Sequence, residues 1–66
     1  MAEVRVNGET FDEFIKSFMS AAMNSDEKTR ETLVRIRKWA ISEHGFFGAH
    51  ELLNNKTVGE ILSEYE

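Results

Sequence analysis

His44 and His50, each beside a glutamate (Glu43 and Glu51), come nearest in this chain to the residue types used for metal binding or proton transfer. Their spacing argues against both. Zinc sites recruit three or four ligands, usually with pairs at close helical spacing, whereas Gly45 separates these two at an expected helix end. A simpler role for His44 is to interact with the last turn of its own helix, where a cation gains about 0.3–1 kcal/mol. The chain has no Cys, which removes thiolate nucleophiles, Cys-ligated zinc and disulfides. A Ser-His-carboxylate triad needs a water-excluding pocket, and a chain this short has little room for one. The serines have structural explanations instead: Ser25 reads as a helix cap, and Ser17, Ser20, Ser42 and Ser63 fall on polar helix positions. Gly8, Gly45, Gly48 and Gly59 are scattered rather than grouped into a phosphate cradle. We therefore expect a non-enzymatic chain that needs neither cofactor nor metal.

Contact with another macromolecule is the chemistry that remains. Arg30 and Arg37 are seven residues apart, so on a helix they share one stripe, and that stripe lies inside an apolar arc between Leu33 and the pair Val34 and Ile41. Charge in such a place has two explanations. The aliphatic stems could cover apolar surface while the guanidiniums pair with Asp12 or Glu13, or with Glu64 or Glu66. Alternatively, Arg30, Val34, Arg37 and Ile41 form a mixed basic and apolar docking strip for an acidic partner, because Arg is enriched where interfaces concentrate their binding energy. Among the aromatic residues, Phe11, Phe14 and Phe18 have core spacing, but adjacent Phe46 and Phe47 cannot both point inward. Core packing accounts for Trp39 and Phe47 in one reading; in the other, each is an anchor for a partner or for a second copy.

Composition bounds these readings. Sixty-six residues make one domain, expected over 1–66. A core of this size lies near the limit of stability, and without disulfides self-association is the remaining staple. Apolar residues form 41% of the chain and charged residues 30%, the balance of a folding sequence. The net charge is −4, yet residues 28–38 carry a local +4, which leaves −8 for the rest. Such polarity suits an interaction surface or internal ion pairs, and the overall acidity argues against nucleic acid. Met1-Ala2-Glu3-Val4-Arg5 lacks an apolar leader, and no run approaches the 18 or so apolar residues of a membrane span, so a cytoplasmic, membrane-free protein is expected. Asn55-Lys56-Thr57 matches a glycosylation sequon but reads better as a loop entering a helix cap.

The elements that must position these residues follow from periodicity. Residues 2–6 alternate, with Val4 and Val6 on one side, and Asn7-Gly8 follows as a turn, so a short strand is predicted. No second strand is visible in the sequence. The segment therefore either lies as an extended arm across the helices or pairs with its equivalent in another copy. Thr10 with Glu13 makes a capping box, and Phe11, Phe14, Ile15, Phe18, Met19 and Ala22 mark one face of a helix that ends near Met23. A second helix is expected from Asp26 to about His44, capped by Ser25 and stopped at Gly45, where the chain folds back at Phe46. Its apolar residues spread over about 220° of circumference, more than one neighbouring helix covers. A brief third helix up to Asn54-Asn55 and a last one from the Thr57 and Glu60 capping box complete a mainly α domain of three to four helices with a short N-terminal strand or arm.

This pattern predicts a small protein-binding module: a regulatory subunit, adaptor or inhibitor whose central helix meets a protein with an acidic and apolar surface. A phage-encoded inhibitor would have this profile. The alternative is a dimeric nucleic-acid-binding regulator, because residues 2–44, a strand followed by two helices, resemble the ribbon-helix-helix family. That resemblance implies paired strands in a DNA groove, with Glu3 and Arg5 facing the bases and phosphates. Glu3 would be repelled there, and the Asn24-Ser25 turn departs from the family's Gly-containing one. Residues 47–53 and 58–65 could be cast as helix-turn-helix, but the second of them carries Glu60, Glu64 and Glu66 where base-reading side chains belong.

Overall fold

Residues 3–66 are described in a computed structural model, so Ala2, the expected start of the strand, lies outside the described residues. The chain runs through β1 (Arg5–Val6), α1 (Phe11–Met23), α2 (Glu27–Leu53), β2 (Lys56–Thr57) and α3 (Val58–Tyr65), a mainly α architecture with one small sheet. Thr10 starts α1 through the capping box predicted with Glu13, each residue's side chain taking the other's backbone N–H. Phe14, Phe18, Ala21 and Ala22, spaced i, i+4, i+7 and i+8, are its buried residues, while Phe11 is only half-buried at its start. Asp26, not Ser25, caps α2. Its carboxylate accepts from the Thr29 backbone N–H at 2.8 Å, while the Ser25 hydroxyl donates to the Ala21 carbonyl at 2.8 Å. A carboxylate complements a helix N-terminus better than a hydroxyl does, and the adjacent Ser is free to close the end of α1.

Gly45 divides α2 into legs 27–44 and 46–53. Its φ of 74° and ψ of 178° belong to a region almost exclusive to glycine, and the helical hydrogen-bond run resumes beyond it in a new direction. The predicted stop at Gly45 and the brief helix after it are both present. Asn55 follows with φ 63°, a left-handed turn that asparagine tolerates better than most residues. Leu33, Ile36 and Ala40 of the first leg, Ala49 and Leu53 of the second, and Val58 and Ile61 of α3 join the α1 residues in one core. Fully burying one large apolar side chain contributes about 1.5–3 kcal/mol, so Phe14 and Phe18 dominate that core by size.

The N-terminal strand settles differently from either expectation. It pairs within its own chain, antiparallel to β2, with Arg5 opposite Thr57 and Val6 opposite Lys56. The Val58 N–H donates to the Val4 carbonyl at 2.8 Å and the Asn55 N–H to the Val6 carbonyl at 2.7 Å. Arg5 adds a bond from Nη1 to the Asn55 carbonyl at 2.6 Å. Neither an arm across the helices nor pairing with a second copy is needed. Val6 thereby enters the core at 1% exposure, roofing the end where α2 hands over to α3. Asn7-Gly8 makes no hairpin but lays the chain against α1. A Cβ on Gly8 would overlap the Phe14 backbone nitrogen and stand 2.5 Å from the Glu13 carbonyl carbon.

Candidate interaction surface

On the first leg of α2, Arg30, Val34, Arg37 and Ile41 form a half-buried line beside the buried Leu33, Ile36 and Ala40. The wide apolar arc is therefore divided: its centre faces the core, and its margins do not. Among the described residues, neither Arg30 nor Arg37 forms an ion pair, so the expected bonds to Asp12, Glu13, Glu64 or Glu66 are not made. Arg37 Nε is closed off from solvent with no acceptor in reach. Burying such a donor without a partner costs about 1–3 kcal/mol, more when the group is charged.

Arg30 and Val34 also line a shallow groove of about 450 Å³ together with Glu31, Arg35 and Lys38. Sequence reading missed Arg35 and Lys38, although Arg30, Val34 and Lys38 make an i, i+4, i+8 row that could have indicated them. None of these cations is in an ion pair among the described residues; Lys56 is, to Glu64 at 3.0 Å. That contact raises the Lys56 pKa above its ordinary value, chiefly through the hydrogen bond from Lys56.

Trp39 and Phe47, predicted as anchors, belong to other faces. Trp39 is 42% exposed and packs its ring near Tyr65 at 5.7 Å and His44 at 5.6 Å. Phe47, just past the Gly45 kink, is 83% exposed. Phe46 is exposed too, but its ring leans on Phe11, with centroids 5.2 Å apart. The kink explains why neither reaches the core: the second leg turns Ala49 and Leu53 inward and leaves the residues beside Gly45 on the outside.

The two histidines part company. His44 meets Trp39 edge-on, while His50 donates from Nε2 to the Gly8 carbonyl at 2.8 Å and stacks at a tilt against Phe14, 5.1 Å away. His50 is thus a structural tie between the second leg and the N-terminal segment, a use that its spacing did not reveal. Among the described residues no helix is long and apolar enough to cross a membrane. No protein-family model matches the chain, and no curated protein or solved structure matches it significantly either.

Proposed function

We propose that this chain is a non-enzymatic protein-binding module of regulatory, adaptor or inhibitor type, in which the Arg30, Val34, Arg37 and Ile41 strip receives an acidic partner surface with apolar side chains between its carboxylates. The observation that carries this reading is the state of the two arginines. Both stand on a half-buried line, neither has a carboxylate among the described residues, and Arg37 Nε has no acceptor at all. Because Arg37 Nε is shut from the surface, a partner carboxylate would meet these guanidiniums at their Nη ends, in the planar two-pronged geometry for which Arg is suited. Phe47 provides a second, apolar contact point at the kink, where its exposure leaves a large apolar area to bury on binding.

Affinity capture from cell extract, followed by titration of the captured protein, tests the strip. Wild type and a Lys16→Glu control on α1 are expected to retain the partner, and Arg37→Glu to lose it. Equal capture by all three would remove the strip from consideration. A gel shift with mixed duplex DNA checks the other macromolecular class: retention that weakens as salt rises would transfer the reading to nucleic acid.

A further inference from the structure

A second face differs from the strip in the signs of its charges. Trp39 lies nine residues from Arg30, about 180° around the helix at 3.6 residues per turn. There an open groove of about 440 Å³ is lined by Arg35, Ile36 and Trp39 from α2 and by Glu64, Tyr65 and Glu66 from the end of α3. Trp39 and Tyr65 bring their rings to within 5.7 Å of each other there. One bank is basic and the other acidic. Lining the same groove does not bring Arg35 and Glu66 together: neither is in an ion pair among the described residues, while Glu64 is held by Lys56.

We infer that this groove is a self-association face, closed by a second copy of the chain through a two-fold axis running along the groove. Such an axis exchanges the banks, so that Arg35 of each copy stands over Glu66 of the other, and Trp39 of each faces Tyr65 of the other. An isologous interface must be self-complementary, and a patch with aromatic rings and opposite charges on its two sides has that property. The strip around Arg30 and Arg37 does not, because pairing it with itself would oppose like charges. A stable specific interface buries about 800 Å² per partner, roughly a fifth of the 4266 Å² that this chain exposes. That area is one broad side of a body 27 × 21 × 17 Å, more than the six residues lining the groove provide. The dimer is consequently expected in the weak class, forming in the micromolar to millimolar range.

Purified protein alone tests this, so its outcome is independent of whether the strip finds a partner. Sedimentation equilibrium should show a dimer growing with concentration, and emission from Trp39, the chain's single tryptophan, should shift to the blue in parallel. Arg35→Glu opposes carboxylates across the axis, and Glu66→Lys opposes cations; each should weaken the dimer at least about tenfold. An equimolar mixture of the two variants should dimerise again, because in the mixed pair both contacts are of opposite sign. Restoration on mixing also excludes misfolding as the cause of the single losses. Wild type that remains monomeric throughout would overturn the inference. So would single variants that dimerise like wild type, or a mixture that stays monomeric.

Discussion

Arg37 combines a donor shut away from water with a side chain that is otherwise only half-buried. Its aliphatic stem covers apolar surface, while its Nε contributes nothing favourable to the isolated fold. Replacing it with Met keeps the cover and removes the unsatisfied donor. Stability of Arg37→Met, read from urea unfolding, should be unchanged or higher by up to about 1 kcal/mol, while capture of the acidic partner is lost. A clear fall in stability would mean that the guanidinium serves the fold. Gly8 presents the opposite case, a residue whose lack of a side chain is indispensable. Its N–H donates to Asn54 Oδ1 at 3.0 Å, and its carbonyl accepts from His50, so the segment cannot retreat from α1. Gly8→Ala therefore drives a methyl into the α1 backbone and should cost about 1–3 kcal/mol in the same measurement.

The caps and the kink act on whole elements. Hydrogen bonds from Thr29, side chain first and backbone second, hold Asp26 below the ordinary carboxylate value of 3.8, and the Thr57 backbone N–H leads in lowering Glu60 from 4.5. A lowered folded-state pKa means that the unfolded chain binds more protons. The caps' contribution is therefore complete above the ordinary values and is lost as pH falls through the lowered ones. Acid unfolding followed by circular dichroism should show this limb, and Asp26→Asn with Glu60→Gln should flatten it. Gly45→Ala tests the kink. Nothing lies within 4 Å of the added Cβ, so the penalty is backbone strain alone, about 1–3 kcal/mol. Elements declared by side-chain types at fixed offsets were legible in the sequence: both capping boxes, the α1 face, and the glycine stop. The Ser25 cap was misplaced by one residue, because Ser25 and Asp26 are both good caps and only the geometry of the α1 exit chooses between them. β2 was illegible. Two residues cannot show an alternation, and Thr57 was already accounted for as a helix cap. The exposure of the strip and of Phe47 was legible only as an excess of apolar circumference, whereas the Trp39 groove depends on where α3 returns.

At the scale of the molecule, Val4, Arg5 and Val6 close the fold although they are three residues of 66. β1 joins the N-terminal segment to the junction of α2 and α3, a pairing between residues about fifty positions apart that ties the start of the chain to that junction. Val6 burial, the Val4 and Val6 backbone bonds and the Arg5 bond to Asn55 together contribute about 3–6 kcal/mol. A 66-residue domain has about 3–10 kcal/mol in total. Deleting residues 1–6 should therefore leave a chain with helical content but without a cooperative thermal transition, whereas Val6→Ala, which retains every backbone bond, should melt cooperatively at a lower temperature. A synthetic peptide of residues 1–9 added to the truncated chain should restore the transition, because the β2 edge and the space left by Val6 would still be offered to it. A truncated chain that melts like wild type would show that the helices hold the core without the strand. Restoration by the peptide would show that these few residues act as a latch, one whose removal opens the core where α2 passes into α3.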